Sequence, residues 1–317
     1  MLSPLLIDIK FDSTRKFDRL QAALDGREVI DINDGGGHPD TFPGVRYALV
    51  WKPDGELFTR LPDLEVLFSV GAGVDHIFQS DFLPDVPIVR FVDHTLTTRM
   101  SEWVCLQCLM HLRQQRSYDR QQRERIWHEL PQPQASDITV GIMGLGELGR
   151  DAARKLKTLG FDVIGWSRSG RPVEDIEVFG AGELDTFLSR THILVGLLPL
   201  TEETKGIFNR DIFSKLRRDE EIPSPVFINA GRGGSQVEAD IIACLENGTL
   251  GGVSLDVFEE EPLSPESPLW GFEQAILTPH AAAVSDIEAL GLYMARQIAR
   301  FEAGEALENV VDRTLGY

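Results

Sequence analysis

Short apolar runs alternate along the chain with longer segments in which apolar residues recur every three to four positions. The runs predict buried strands and the longer segments predict amphipathic helices, because side chains alternate faces in a strand and repeat about every 3.6 residues in a helix. In the first third, the pattern predicts strands at Leu5–Ile9, Arg46–Trp51, Glu65–Val70 and Ile88–Phe91, and helices at Arg15–Leu24 and Thr97–Arg123.

A second series of the same kind begins at Ile138, after a proline-broken segment at 131–134. Repeated alternation of strand and helix is typical of a parallel sheet with crossover helices, so the two series predict two doubly wound α/β domains. The second series contains strands at Ile138–Met143, Phe161–Ser167, His192–Leu197, Val226–Ala230, Gly252–Leu255 and Ala275–Leu277, and helices at Glu147–Leu159, Gln236–Asn247 and Ala283–Ala303.

Acidic side chains dominate the charge of the chain. Its 317 residues include 50 Asp and Glu against 31 Lys and Arg, which gives a formal net charge of −19. This balance argues against nucleic acid and anionic membranes as partners, because both repel an acidic surface. It also makes any local cluster of arginines informative, since an acidic protein that binds an anion needs a basic pocket.

The amino-terminal sequence and the cysteines indicate the compartment. The first ten residues lack the basic start and apolar run of a signal peptide, and no stretch approaches the roughly 20 apolar residues of a membrane span. Cys105 and Cys108 lie in an apolar helical stretch and, with Cys244, are predicted to be free thiols. We therefore expect a cytoplasmic protein, and the spacing of His and Cys predicts no metal site.

The sequence G-L-G-E-L-G, from Gly144 to Gly149, follows a predicted strand and opens a predicted helix. A dinucleotide-binding loop requires this context. Gly144 permits the tight turn, Gly146 lets the backbone approach a pyrophosphate, and Gly149 lets the helix pack on the strand. Glu147 and Leu148 begin the helix, whose free N–H groups would face the phosphates.

The next predicted strand ends without an acidic residue. An enzyme that uses NAD normally has Asp or Glu there, where the carboxylate binds the ribose 2′-hydroxyl. This chain has Ser167, Arg168 and Ser169 instead, followed by Arg171 as a further candidate. Hydroxyl and guanidinium groups bind a 2′-phosphate through charge-assisted hydrogen bonds, whereas a carboxylate would repel it. The sequence therefore predicts NADP (as NADPH) rather than NAD.

Three charged residues downstream lie in distinctive local sequences: Arg232 in N-A-G-R-G-G, Glu261 in D-V-F-E-E-E-P-L and His280 in L-T-P-H-A-A-A. Reduction of a 2-keto acid adds hydride to the carbonyl carbon and a proton to the oxygen. His280 is the candidate proton donor, because histidine ionises near neutral pH, and Glu261 is the partner that favours its charged form. Arg232 is the candidate for binding the substrate carboxylate and polarising the carbonyl.

The glycine loop and these three sequences together resemble the D-2-hydroxyacid dehydrogenase family, in particular its glyoxylate/hydroxypyruvate reductase A branch. The resemblance implies an oxidoreductase that uses NADPH to reduce glyoxylate, hydroxypyruvate or a similarly small 2-keto acid. It implies a homodimer formed through the helix near Thr97–Arg123. It also implies a Rossmann NADP-binding domain at 99–283, inserted in a discontinuous flavodoxin-like substrate domain at 1–98 and 284–317.

Further contacts follow from the resemblance. L-L-P-L-T-E-E-T matches a loop that passes over the adenosine and pyrophosphate, and V-G-A-G-V-D-H matches a loop whose N–H groups bind the substrate carboxylate. Asp256 matches a carboxylate that faces the nicotinamide carboxamide, although a plain loop carboxylate fits its spacing too. Arg99 either lines the pocket or lies near the hinge. The implied contacts are Leu198, Pro199, Thr204, Ala230 and Asp256 for the cofactor, and Trp51, Ala72, Gly73 and Arg232 for the substrate.

Two other functions fit the same fold. One is a non-enzymatic protein that senses NAD(P), resembling a corepressor, which the intact Arg–Glu–His set disfavours. The other is a different dehydrogenase of the family, acting on phosphoglycerate, formate or phosphite. Fold alone does not separate these functions, so the site residues must decide between them.

Overall fold

Two units, each built around a parallel sheet, make up the chain. The computed structural model describes residues 2–9, 17–24, 26–78, 80, 82–219, 224–314 and 316. The first unit comprises Met1–Leu96 and Ser285–Tyr317, and the second comprises Thr97–Val284. The second unit is therefore continuous in sequence and inserted within the first.

Strands and helices alternate along the described residues. In chain order they are β1 (Leu5–Ile9), α1 (Phe17–Ala23), β2 (Val29–Asp31), β3 (Tyr47–Trp51), β4 (Val66–Ser69), α2 (Asp75–Phe78), β5 (Ile88–Arg90), α3 (His94–Leu112), α4 (Gln115–Glu124), β6 (Thr139–Met143), α5 (Glu147–Thr158), β7 (Asp162–Trp166), β8 (Glu177–Phe179), α6 (Leu184–Arg190), β9 (Ile193–Gly196), α7 (Arg210–Ser214), β10 (Val226–Asn229), α8 (Glu238–Glu246), β11 (Gly252–Leu255), β12 (Ala275–Leu277) and α9 (Ile287–Glu302).

Five parallel strands form the sheet of the first unit, in the flavodoxin-like order β2-β1-β3-β4-β5. Every residue of β1 and β4 is buried, as continuous apolar runs predict for a parallel sheet covered on both faces. The four predicted strands are confirmed, with slightly shorter ends. The sequence pattern missed β2, because it has only three residues and all are half-buried. The predicted helix Arg15–Leu24 is described from Phe17 onward, and its first two residues lie outside the described part.

Seven parallel strands form the sheet of the second unit, in the order β12-β11-β10-β9-β6-β7-β8. The chain enters at β6, continues to β7 and β8 on one side, and then crosses to β9 on the other side. The strand order therefore reverses between β6 and β9, and open α/β sheets bind ligands beyond the carboxyl ends of the strands at such a point. All six predicted strands of this unit are confirmed, whereas the three-residue β8 was missed.

The single long helix predicted at Thr97–Arg123 is wrong, because two helices occupy this region. α3 ends at Leu112 and α4 begins at Gln115. Between them, Gln114 has a left-handed backbone conformation with φ of +52°, which an α-helix cannot continue through. The apolar residues that α3 buries in the core stop at Leu112, so nothing holds the following polar segment on the same axis.

The three cysteines, Cys105, Cys108 and Cys244, are buried and free. Desolvation raises the pKa of the Cys105 thiol to about 11, so this group stays protonated near neutral pH. No helix in the described ranges is both long and apolar enough to cross a membrane. The same residues contain no group of three or more His, Cys, Asp or Glu side chains arranged to hold a metal ion.

His111, in the last turn of α3, predicts an acid-sensitive contribution to stability. Its Nε2 lies 2.9 Å from Ser254 Oγ, which in turn donates to Gln107 Oε1, so the neutral ring donates to the serine. Desolvation lowers the pKa of His111 to about 4. The unfolded chain therefore binds more protons between about pH 6.5 and pH 4, and the free energy of unfolding falls by up to about 3 kcal/mol as the pH drops through that window.

The variant His111→Gln removes this titration and keeps a hydrogen-bond donor. Urea unfolding at several pH values should show the stability gap between wild type and variant narrowing from pH 7 to pH 4. Thr158→Ser, at an exposed position without a titrating group, offers a control and should run parallel to wild type throughout. Parallel curves for His111→Gln as well would contradict the prediction.

Candidate active site

Functional candidates of the second unit gather along one edge of its sheet. Because all seven strands run parallel, the loops that follow them leave from the same carboxyl edge. Each of six neighbouring strands is followed there by a candidate segment: β6 by the glycine loop, β7 by 167–169, β9 by 197–204, β10 by Ala230 and Arg232, β11 by Asp256 and Glu261, and β12 by His280.

Backbone packing in the glycine loop excludes side chains at two positions. Gly144 has φ of +108°, and a Cβ there would lie 2.6 Å from the carbonyl oxygen of Leu197. A Cβ on Gly149 would collide with the carbonyl oxygen of Gly144, so α5 packs directly on the end of β6. Gly146 has open space around it and precedes α5, where no side chain caps the helix. These features fit a loop that places a diphosphate against the helix N-terminus.

The side chains of the two residues that begin α5 already have partners within the protein. Glu147 is exposed and its carboxylate pairs with the guanidinium of Arg150, one turn further along the helix. Leu148 is half-buried and packs against the core. Any contact that they make with a phosphate would therefore come from their backbone N–H groups.

The residues after β7 form a compact turn. Ser167 donates its N–H to the Phe179 carbonyl and accepts at its own carbonyl from the Gly170 N–H, both at 3.1 Å. Ser169 is exposed, and its Oγ accepts from the N–H of Arg171 at 3.4 Å. The backbone of the turn is thus fixed, while its hydroxyl and guanidinium groups lie at the surface.

Arg168, in the same turn, forms an ion pair with Glu203. The distance from Nη1 to Oε2 is 2.5 Å, and both side chains are largely exposed. Glu203 belongs to the loop after β9, so this pair links two segments that were predicted to contact the cofactor. The sequence offered no signal for the pairing.

The loop after β9 is braced by a hydroxyl. Thr204 Oγ1 donates to the carbonyl of Pro199 at 2.6 Å and accepts from the N–H of Thr201 at 2.8 Å. Leu198 is buried beneath the loop. The Thr204 hydroxyl, predicted to contact the cofactor, therefore shapes the loop from within, and Leu198 and Pro199 present the backbone near the glycine loop.

Buried amides support Arg232. Asn229 Nδ2 donates to the carbonyl of Arg232 at 3.2 Å and to Gln236 Oε1 at 2.8 Å. Gln236 Nε2 donates in turn to the carbonyl of Val257 at 3.0 Å. Asn229 and Gln236 are almost completely buried, and their side-chain amides make these hydrogen bonds. The bonds connect the turn at Arg232 to the segment after β11.

His280 and Glu261 face each other across two loops. His280 Nδ1 lies 3.0 Å from one carboxylate oxygen of Glu261 and 3.2 Å from the other. The side chains are 35% and 23% exposed, so the pair is partly shielded from water yet accessible to a small ligand. Nδ1 faces the carboxylate, so Nε2 is the candidate ring atom for proton transfer. Glu261 is thus the observed partner of the histidine, rather than Glu259 or Glu260.

The backbone of His280 is unusual, with φ of +52°. Asp256 stabilises this conformation through its backbone, because its carbonyl accepts from the His280 N–H at 2.8 Å. Its buried carboxylate accepts from Thr278 Oγ1 at 2.5 Å, from Ala281 N at 2.8 Å and from Ala282 N at 3.0 Å. These bonds hold the histidine loop in place, and the predicted contact of Asp256 with the cofactor stays a prediction.

In the first unit, the substrate candidates follow two adjacent strands. Trp51 ends β3, and its ring packs on that of His76 with 4.4 Å between centroids. Ala72 and Gly73 follow β4 in a loop that Ser69 Oγ braces by donating to the Gly73 carbonyl at 3.1 Å. Within the described part of the chain, the N–H groups of Ala72 and Gly73 have no protein acceptor, which suits an anion-binding loop. 

Sequence reasoning missed four residues that position this chemistry. Asn229, Gln236 and Thr278 act through the contacts described above, and Gly233 lies where any Cβ would collide with the backbone of Phe258. A polar residue at the end of an apolar strand was the available signal for Asn229 and Thr278, whereas Gln236, between β10 and α8, offered none. Arg99 donates to the carbonyl of Val284, which places it at the boundary of the second unit.

The chain is similar to known proteins over most of its length. The family described as D-isomer specific 2-hydroxyacid dehydrogenase, NAD binding domain, matches residues 105–282. A glyoxylate/hydroxypyruvate reductase A from Escherichia fergusonii is 37% identical over 314 residues, which is 97% of each protein.

Solved structures are similar over the same extent. A crystal structure of an NADPH-dependent glyoxylate/hydroxypyruvate reductase from Sinorhizobium meliloti, in complex with NADP and sulfate, is 57% identical, covers 100% of both chains and has a TM-score of 0.97. A probable 2-hydroxyacid dehydrogenase from Rhizobium etli, in complex with NADP, HEPES and L(+)-tartaric acid, is 56% identical over 99% of both chains, with a TM-score of 0.94.

Proposed function

Because the chain belongs to the D-isomer specific 2-hydroxyacid dehydrogenase family, as its motifs predicted, we propose that it is an NADPH-dependent reductase of glyoxylate and hydroxypyruvate. The hydrogen-bonded pair of His280 and Glu261 carries this proposal, since a sensor needs no positioned proton donor. The reductase from Sinorhizobium meliloti, with its bound NADP, supports both the reaction and the cofactor.

The proposed mechanism assigns one task to each charged residue. NADPH, when bound, supplies hydride to the carbonyl carbon of the keto acid. His280 donates the proton to the carbonyl oxygen from Nε2, and Glu261 orients the ring and stabilises its charged form. Arg232 binds the substrate carboxylate and polarises the carbonyl. One keto acid, one hydride and one proton give one 2-hydroxy acid.

We assign the cofactor to the second unit, and within the first unit we assign a substrate-carboxylate contact to the loop after β4. The glycine loop accommodates the diphosphate, because a Cβ at Gly144 or Gly149 would fill the space needed for the turn. Ala72 and Gly73 supply backbone donors from the first unit, and Trp51 restricts the substrate to small acids. The first unit would thus be the substrate domain and the second the NADP-binding domain.

We further propose that the protein is a cytoplasmic homodimer. Exposed apolar side chains on α3 and just after α4 support a second copy of the chain as partner: Leu106 is 52% exposed, Ile126 50%, and Trp127 fully exposed. Free, buried cysteines agree with a reducing compartment. Light scattering should give twice the mass of one chain, and a monomeric mass at micromolar concentration would overturn the dimer.

One assay tests the function. NADPH and NADH oxidation should be followed with glyoxylate, hydroxypyruvate, pyruvate and bulkier 2-keto acids. We expect turnover with the first two and NADPH, and progressively less with larger acids. No turnover with any acid, despite tight binding of NADPH, would favour the sensing function instead.

Cofactor preference gives a sharper prediction. The double variant Ser167→Asp with Arg168→Ala should lower kcat/KM for NADPH by about 10²-fold or more relative to NADH, since two charged hydrogen bonds contribute about 1.5–3 kcal/mol each. The introduced carboxylate also repels the 2′-phosphate. Steady-state kinetics with both nucleotides at saturating glyoxylate measure the ratio, and an unchanged ratio would refute the assignment of these residues.

A further inference from the structure

An acidic side chain pairs with the guanidinium on which NADP(H) recognition is proposed to rest. Arg168 lies in the turn after β7, where dinucleotide-binding sheets hold the ribose 2′ position. Its Nη1 lies 2.5 Å from Oε2 of Glu203, which belongs to the loop after β9. Arg168 is 46% exposed and Glu203 is 65% exposed, so both side chains can exchange partners with a ligand from solvent.

A carboxylate and a phosphate are competing ligands for the same guanidinium. Both offer oxygens to the N–H fork of arginine, and charge-assisted bonds to either are of similar geometry. The carboxylate of Glu203 is also a negative charge within ion-pair distance of the phosphate-binding group, so it opposes a doubly charged 2′-phosphate even when the pair opens. Neither effect applies to NADH, which carries a hydroxyl at the 2′ position.

We propose that Glu203 is a specificity-determining residue that competes with the 2′-phosphate of NADP(H) for Arg168. It weakens the binding of NADP(H) selectively and exchanges places with the phosphate as the cofactor binds and leaves. This inference rests on the proposed function through the role of Arg168. Because ion pairs between exposed side chains contribute little, the expected effect is modest, about three- to tenfold in affinity.

The experiment compares two neutralising variants of the full-length protein. Glu203→Gln removes the competing charge, and Glu202→Gln removes the same charge from the adjacent, exposed position. Dissociation constants for NADPH and NADH are measured by nucleotide fluorescence without keto acid. Glu203→Gln should bind NADPH about three- to tenfold more tightly and NADH within about twofold of wild type. The fold-change in the NADPH dissociation constant should be less than half as large for Glu202→Gln as for Glu203→Gln. High salt should reduce the gain in NADPH affinity that Glu203→Gln produces, because salt screens the removed charge.

Several outcomes would overturn the proposal. Weaker NADPH binding in Glu203→Gln would mean that the carboxylate orients Arg168 for the phosphate instead of competing with it. Equal gains for both nucleotides, or equal gains in both variants, would mean a general effect of net charge.

The variant Arg168→Gln separates this proposal from the cofactor assignment beneath it. If Arg168→Gln leaves the ratio of NADPH to NADH affinity unchanged, the assignment of Arg168 fails and the role of Glu203 fails with it. If that ratio falls but Glu203→Gln gives no gain, only the role of Glu203 is refuted.

Discussion

Replacing His280 with asparagine is expected to lower kcat for keto-acid reduction by about 10²- to 10⁴-fold, the range that general acid catalysis contributes. Asparagine cannot supply the proton, yet it tolerates the left-handed backbone that His280 adopts, whereas alanine would strain it. Because Nε2 acts on the carbonyl oxygen and not on the nucleotide, the dissociation constant for NADPH should stay near the wild-type value. Stopped-flow turnover with glyoxylate and equilibrium binding of NADPH provide the two measurements.

Two further variants test the assignment of the proton donor. His38→Asn, in the first unit and outside all candidate site segments, should retain wild-type kcat. Glu261→Gln keeps a hydrogen-bonding group beside the ring but removes the charge that stabilises the imidazolium, so its loss should be smaller than that of His280→Asn. Turnover of His280→Asn within tenfold of wild type would show that another group, or water, supplies the proton.

Replacing Arg232 with alanine is expected to lower kcat/KM for the keto acid by about 10²- to 10³-fold, as removal of one electrostatic donor does in comparable sites. The guanidinium binds the carboxylate in the ground state and the developing oxyanion in the transition state, so KM should rise and kcat should fall together. Arg232→Lys should recover part of the loss, because lysine keeps the charge but lacks the fork.

The matched control removes an arginine at the opposite edge of the same sheet. Arg190 ends α6, directly before β9, and pairs with Glu177 in an exposed ion pair. Arg190→Ala should therefore leave both kinetic constants unchanged. If Arg232→Ala instead raised KM for NADPH with no change for the keto acid, Arg232 would belong to the cofactor site and the substrate carboxylate would need another partner.

Local sequence was enough to predict ten of the twelve described strands and the glycine loop, but not the three-residue strands β2 and β8. A short apolar run such as L-L-I-D-I is typical of a buried strand in a parallel sheet, and every residue of β1 is buried. The constraint on Gly149 is likewise local, since a Cβ there would meet the Gly144 carbonyl oxygen of the same strand–turn–helix connection, whereas a Cβ at Gly144 would meet the backbone of Leu197 in the loop after β9. The prediction of NADP likewise needed only the types of the residues after β7, and no information from the rest of the chain.

Contacts between segments that lie far apart in the sequence could not be predicted from local patterns. The sequence left the role of Asp256 open and did not show that its carboxylate accepts from the N–H groups of Ala281 and Ala282, 25 and 26 residues further along the chain. The sequence by itself determined ten of the twelve described strands and named the candidate site residues, because periodicity and residue type are local properties. Only the tertiary structure decided that Glu203 faces Arg168 and that α3 ends before Gln114, because each depends on groups brought together by folding and on where buried apolar surface stops.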